Sequence, residues 1–198
     1  MSCDRATYDF YQSQAPYYTA STAQGQSRHL AGFLARLPAN ARILELGCGG
    51  GRDAAYMIEH GFDVDATDGA PAMVDKANQR HDIGARVMTF DELEAEAAYD
   101  AVWAHASLLH CPRRAFPGTL QKICRSLKQG GWHCANFKLG KREGRDKFDR
   151  LYNFYTRDEL CNAYQSGLDW SIEHALDYES SGFDQVDRNW LAITVRKA

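Results

Sequence analysis

The run Ile43-Leu44-Glu45-Leu46-Gly47-Cys48-Gly49-Gly50-Gly51-Arg52-Asp53 constrains this chain more than any other stretch, because it joins an apolar strand to a glycine turn and a helix start. Gly47, Gly49 and Gly51 stand at alternate positions, where a missing Cβ lets the backbone come close to a ligand. A strand, turn and helix of this kind open a βαβ unit that holds its ligand at the carboxyl end of the strand. Glu45 adds information about charge. A carboxylate there repels phosphate and suits a ligand that is cationic or rich in hydrogen-bond donors.

A helix over 54–60 and a second strand over 63–67 follow, and Asp68 stands at the carboxyl end of that strand. An acid about 20 positions beyond a glycine turn is placed to accept hydrogen bonds from ribose hydroxyls. Glycine turn and acid together specify a nucleoside cofactor.

At these residues the sequence resembles the class I S-adenosylmethionine-dependent methyltransferases. Glu45, Gly47, Gly49 and Gly51 match the family's first motif, Asp68 its ribose acid, and Tyr99-Asp100-Ala101-Val102-Trp103 the start of its fourth strand. Leu127-Lys128-Gln129-Gly130-Gly131 is similar to the turn before strand five, with Gln129 where proline is usual. The likeness runs from Arg42 to Lys138. Beyond it the match is looser, to small methyltransferase-domain proteins of the tellurite-resistance type. The resemblance implies S-adenosyl-L-methionine as cofactor and S-adenosyl-L-homocysteine as product.

A dinucleotide is the rival cofactor, since Gly49, Gly51 and Ala54 also satisfy a G-x-G-x-x-A pattern. That pattern needs its first glycine directly after the strand, and the register from Gly47 puts Arg52 where the third small residue belongs. Glu45 also sits badly beside a pyrophosphate. An NAD-type oxidoreductase and a non-catalytic S-adenosylmethionine-binding regulator stand as the alternatives to a methyltransferase acting on a small molecule.

The rest of the chain alternates strand and helix, as an α/β sheet with helices on both faces requires. Strands are predicted at 42–46, 63–67, 86–90, 101–105 and 132–137. Leu30, Phe33, Leu34 and Leu37 predict a helix over 24–37, and Phe116, Leu120, Ile123 and Leu127 another over 113–128. Thr156 and Glu159 form a capping-box pattern that opens a helix to residue 165. The stretches 168–178 and 189–196 are strand-like with no room for a helix between them, which predicts an antiparallel closing pair. The expected fold is therefore a Rossmann-like, seven-stranded, mostly parallel sheet with helices on both faces and an antiparallel closing strand. At 198 residues it forms one domain, 1–198. Residues 1–22, aromatic and irregular as far as residue 20, are expected as a lid, and 138–156 as an acceptor-side loop.

Ligands of such sheets sit above the carboxyl ends of the strands. Cys48 and Gly69 lie beside the cofactor residues already named. Arg52 offers a forked set of donors to the methionine carboxylate, or else a surface charge. Phe90 and Asp91 follow strand three, where an acid can accept the adenine amino group or simply start a turn. Met73 can wall the adenine. The resemblance implies that the backbone near Ala104 and His105 holds the methionine part and that an N-terminal tyrosine pair, here Tyr11 and Tyr18, covers the donor. His105 and His110 are the candidate bases, because imidazole titrates near neutrality. In the basic run after strand five, Lys138 and Arg145, with Tyr152 behind them, are the candidate acceptor contacts, and they favour a small anion or a carboxylate-bearing acceptor.

The formal charge of −3 leaves no basic surplus for nucleic-acid binding. After strand four the chain reads His105-Ala106-Ser107-Leu108, which is neither the pattern of DNA amino-methylating enzymes nor the carboxylate set of a metal-dependent catechol enzyme. Six cysteines show no C-x-x-C pair, so neither a metal site nor a disulfide framework is expected. The first twelve residues are no signal peptide, and no stretch is of transmembrane length. A cytoplasmic monomer or homodimer is the expectation.

Overall fold

The computed structural model describes residues 3–21 and 25–198. Positions 1, 2 and 22 of the expected lid and position 24 of the first expected core helix lie outside the described residues. The chain runs through α1 (Arg5–Ser21), α2 (Leu30–Leu34), β1 (Arg42–Leu46), α3 (Arg52–Glu59), β2 (Asp63–Asp68), α4 (Pro71–His81) and β3 (Arg86–Val87). It continues with β4 (Tyr99–Ala104), α5 (Phe116–Ser126), β5 (Leu127–Lys138), β6 (Glu143–Arg145), β7 (Leu151–Asn153), α6 (Arg157–Gln165), β8 (Trp170–Ser181) and β9 (Asp187–Lys197).

Seven strands form one sheet in the order β3-β2-β1-β4-β5-β9-β8, and β6 pairs with β7 in a separate hairpin. The pairings from β3 to β5 are parallel, and β9 runs antiparallel to both β5 and β8. The expected fold and closing pair are both present. Strand order reverses between β1 and β4, which opens the crevice where such sheets bind ligands. Ile43, Leu44 and Leu46 on β1 are buried on both faces, as a central parallel strand requires. One face is covered by α5 and α6 through Phe116, Leu120, Ile123 and Leu160, and the other by α2, α3 and α4 through Leu30, Phe33, Met57 and Ala77.

Several boundaries differ from the sequence pattern, each for a local reason. The N-terminal segment is a helix instead of irregular chain: Asp4 caps it by accepting from the Thr7 amide at 3.0 Å, and Pro16 is accommodated inside it. The helix expected over 24–37 is one short turn around Leu30–Leu34. Strand three stops at Val87, because Thr89 and Glu92 form a capping box that turns Phe90–Glu92 into a 3-10 helix. The helix expected over 113–128 is Phe116–Ser126, since Leu127 is already extended and paired with Tyr99. Thr156 and Glu159 cap α6 as expected.

Candidate functional site

Gly47 and Gly49 leave β1 with φ of 82° and 56°, the left-handed region in which a side chain is strained. A Cβ on Gly47 would lie 2.4 Å from the Ser107 Cβ, so this glycine lets the loop after β4 close on the loop after β1. Ser107 Oγ completes that contact by donating to the Leu46 carbonyl at 2.5 Å. A Cβ on Gly49 would instead meet only ordinary van der Waals neighbours, Met73 Cε at 3.7 Å and Tyr18 Cε1 at 4.0 Å. Gly51 lines neither cavity described below, because its absent Cβ makes room for Ile83 and Ala77 where α3 meets α4. It is a packing glycine. Gly47→Ala is expected to lower stability by about 1–3 kcal/mol and to displace Ser107, whereas Gly49→Ala costs about 1–2 kcal/mol of backbone strain alone. Thermal unfolding of the two variants tests the contrast, and equal losses would refute it.

Asp68 is held by two amides: Gly49 N–H donates to Oδ2 at 3.0 Å and Ala70 N–H to Oδ1 at 2.9 Å. Burial pushes its carboxyl pKa up, and those two amides oppose the shift. Glu45 is buried, and its Oε2 has no hydrogen-bond partner among the described residues. Burial, then Asp53 and Asp68, push its pKa well above the ordinary carboxyl value. An orphaned carboxyl oxygen of this kind is costly unless a donor arrives to meet it. An ammonium group meets that need, and a pyrophosphate does not.

Two cavities meet at this cradle. The smaller, about 120 Å³, lies between Asp68, Gly69, Met73 and Phe90 on one side and α1 on the other. The larger, about 660 Å³, contains Glu45, Cys48 and Arg52 at one end and Lys138, Arg150 and Tyr152 at the other. Tyr11, Tyr18, Gly47, Gly49, His105 and His110 line both. The structure thus brings together most of the expected cofactor residues, both histidines and both tyrosines. Arg52 donates to Ser27 Oγ at 3.0 Å, and the neighbouring Asp53 is a buried brace that accepts from the Ser27 amide and from Trp103 Nε1. The Cys48 thiol pKa is pushed well up by burial, so it stays protonated.

Three expected contacts fall elsewhere. Asp91 is exposed on the 3-10 helix and accepts from Thr89 Oγ1, while Thr89 and Phe90 face the cavity instead. Ala104 is wholly buried at the end of β4, and the cavity wall begins one residue later, at His105 and Ala106. Arg145 binds both carboxylate oxygens of Asp4, at 3.0 and 2.7 Å. It clamps α1 from outside and holds the Asp4 pKa at about 2.

The two histidines have different surroundings. His110 Nδ1 lies 2.6 Å from the Leu151 carbonyl, which can only accept, so Nδ1 carries the proton. Its Nε2 therefore accepts from the Tyr11 hydroxyl at 2.9 Å, and Tyr11 Oη in turn accepts from Arg150 Nη1 at 3.0 Å. Both ring nitrogens of His110 are committed to this chain. His105 Nδ1 lies 3.0 Å from Asn136 Oδ1, and its ring stacks on Trp103. Burial lowers the pKa of His105 to about 4 and of His110 to about 3, so both are neutral at pH 7.

The basic run contributes less free charge than its composition suggests. Lys138 is 1% exposed and paired with the equally buried Asp184 at 3.1 Å, its ammonium 4.2 Å from the Tyr152 ring centre. Sequence reasoning missed Arg150, which pairs with Asp146 at 2.6 Å and lies 4.7–5.7 Å from the rings of Phe10, Tyr11, Phe148, Tyr152 and Phe183. Nothing in its sequence position separates it from its solvated neighbours. Tyr178, Phe183 and Trp190, from β8, β9 and the turn between them, complete the aromatic wall.

Residues 43–131 match the model of a methyltransferase domain. A ubiquinone biosynthesis O-methyltransferase from Xanthomonas axonopodis pv. citri is 39% identical over 103 residues, covering 48% of this chain and 41% of that protein. The chain spans less than half the length of the curated relatives it matches. Among solved structures, the 1,6-didemethyltoxoflavin-N1-methyltransferase of Burkholderia thailandensis, bound to 1,6-didemethyltoxoflavin and S-adenosylhomocysteine, has a TM-score of 0.76 at 24% identity. It covers 96% of this chain and 86% of that one. TehB from Haemophilus influenzae has a TM-score of 0.75 at 14% identity over 93% of this chain and 67% of that one. Likenesses this distant speak to the fold alone and leave the tellurite-resistance type unspecified. With the matched domain over residues 43–131, the sheet order and the glycine-and-acid cradle, the chain is similar to the class I S-adenosylmethionine-dependent methyltransferases and has their Rossmann-like fold.

Proposed function

We propose that this chain binds S-adenosyl-L-methionine and transfers its methyl group, in line, to a small molecule held in the larger cavity. The observation that carries the reading is the junction of the two cavities at Gly47, Gly49 and His105, flanked by the orphaned oxygen of Glu45. Asp68 would hold the ribose, Met73 and Phe90 would flank the adenine, and Glu45 would receive the ammonium of the methionine part. Arg52 would face its carboxylate. Bound there, the cofactor would supply a methyl group already activated on a sulfonium.

What remains for the protein is positioning and exclusion of water, and orientation of this kind can supply about 7–11 kcal/mol of a barrier. Tyr11 and Tyr18 cover the junction and present ring faces suited to a cation. At the far end, Tyr152, Phe183 and Trp190 offer ring surface to the acceptor. Lys138 and Arg150 already carry buried carboxylate partners, so they orient a polar group on the acceptor more than they neutralise a free anion. Glu45, Asp68, Met73 and Phe90 would hold the cofactor so that its methyl group faces a lone pair of the acceptor. Where the acceptor loses a proton, His105 would receive it, since His110 has no uncommitted nitrogen.

Calorimetric titration with S-adenosylhomocysteine and with NAD tests the cofactor. Binding of the former and not the latter is expected, and no binding at millimolar ligand would end the reading. Asp68→Ala is expected to weaken S-adenosylhomocysteine binding about 10- to 100-fold, the scale of hydrogen bonds to a charged group. An unchanged affinity would remove Asp68 from the ribose site. A screen with labelled donor against phenols, heterocyclic amines, thiols, carboxylates and tellurite then addresses the acceptor.

A further inference from the structure

His105 is the end of a hydrogen-bonded line that crosses three strands. Its Nδ1 meets Asn136 Oδ1 at 3.0 Å, and Asn136 Nδ2 donates to the Tyr178 hydroxyl at 3.0 Å. Asn136 lies on β5 and is fully buried, while Tyr178 lies on β8, with β9 between them. The residue of β9 opposite Asn136 is Ala192, and its small side chain leaves the span that the tyrosine hydroxyl crosses. Tyr178 is itself braced, edge-on against His29 at 4.8 Å and stacked with Trp190 at 6.1 Å.

The direction of each bond fixes the imidazole. With its amide nitrogen turned to Tyr178, Asn136 offers His105 only an oxygen, so Nδ1 must carry the proton and Nε2 the lone pair. We propose that Asn136 and Tyr178 are positioning residues that hold His105 in the Nδ1-protonated tautomer, with Nε2 available at the junction of the two cavities to take the acceptor's proton. The proposal rests on the methyltransferase reading for its purpose, though not for its geometry. In the step itself the proton passes from the acceptor heteroatom to Nε2, the imidazolium keeps its Nδ1–H on Asn136, and the added proton later leaves to water. The charged and titratable groups around the ring are Asp53, which favours the imidazolium, and Arg52 and His29, which oppose it.

The test uses the full chain labelled with ¹⁵N-histidine and long-range ¹H–¹⁵N spectra, with His105 assigned by the signal lost in His105→Gln. Wild type is expected to show a protonated Nδ1 and an unprotonated Nε2 at pH 7. Asn136→Leu is expected to move the population towards Nε2–H, and Tyr178→Phe, a milder change, to move it part of the way. Asn136→Asp should keep the wild-type tautomer and shift the acid limb of the ring's titration upward. A wild-type Nε2–H signal, or an unchanged tautomer in both Asn136→Leu and Tyr178→Phe, overturns the proposal. Calorimetry with S-adenosylhomocysteine on the same samples separates the two ideas, because absent binding in wild type ends the methyltransferase reading whatever the tautomer. With an acceptor from the screen, Asn136→Leu is expected to lower kcat about 10²-fold with little change in KM. A change in KM alone counts against the proposal.

Discussion

Arg150→Met is expected to destabilise the protein by about 3–5 kcal/mol, the cost of removing one partner from a buried ion pair. The guanidinium and Asp146 are 1% and 3% exposed, so the carboxylate left behind would have neither a counter-ion nor water. Asp146 also accepts from the Phe148 and Arg150 amides, which makes it the pivot of the loop between β6 and β7. Its loss of charge balance would therefore be felt through the whole loop. The substitution also removes the donor that holds Tyr11, and with it the order of the His110 chain. Urea unfolding measures the first effect, and S-adenosylhomocysteine affinity the second. The double variant Arg150→Met, Asp146→Leu is expected to recover much of the stability and none of the tyrosine positioning. A loss below about 1 kcal/mol in the single variant would show that water reaches the pair, since exposed pairs contribute no more than that.

The second large effect is a fall in stability on mild acidification. His133 is buried and His105 and His110 are half-buried beneath the cavity walls, and their desolvation lowers their pKa values to about 4, 4 and 3 from 6.5, in that order. The unfolded chain binds protons at these sites near pH 6.5 and the folded chain does not, so unfolding takes up protons below that pH. Stability from these groups is complete above pH 6.5 and is lost as pH falls towards 4, each pKa unit corresponding to ~1.4 kcal/mol. Glu45 and Asp68 work in the opposite sense, since burial raises their pKa values and the folded state then holds the protons. The net slope of unfolding free energy against pH is expected to correspond to between about one and three protons.

His133 isolates the effect because it lies in the core, with Nδ1 on the Val102 carbonyl and Nε2 on the Tyr164 hydroxyl, away from both cavities. His133→Gln is expected to flatten the slope by about one proton while lowering stability at pH 7.5. Urea midpoints that stay level from pH 7 to 5 in wild type would contradict the argument.

The cofactor half of the site was legible because its demands are local. Glu45 and Asp68 lie in the last residues of β1 and β2 and Gly47 and Gly49 in the turn that follows β1, so their spacing along the chain translates directly into positions at the ends of those strands. Gly51 shows the limit, since the same motif glycine serves packing of α3 on α4. The helix α1 was missed because its buried positions, Thr7, Ala15 and Thr19, are small or polar and give no apolar stripe, although they follow helical spacing. Lys138 was found by composition but not by role, as its partner Asp184 is 46 residues away. Arg150 and Asn136 are distinguished only by what surrounds them in three dimensions. Ring cages and cross-strand hydrogen bonds leave no periodic trace in a sequence.

The roof over the site has a kinetic implication. Residues of α1 line both cavities, and the helix is fastened along its length: Thr7 Oγ1 accepts from the Leu151 amide, Gln12 from the Ala72 amide, and the Thr19 carbonyl from Arg80. Two ligands that share one fastened cover cannot exchange independently, because opening a path for either disturbs the wall of the other. Turnover under such a cover would be governed by traffic as much as by chemistry. On the proposed reading, departure of the spent donor and arrival of the next acceptor would be consecutive events on a single helix, which would favour an ordered sequence of binding and release over a random one.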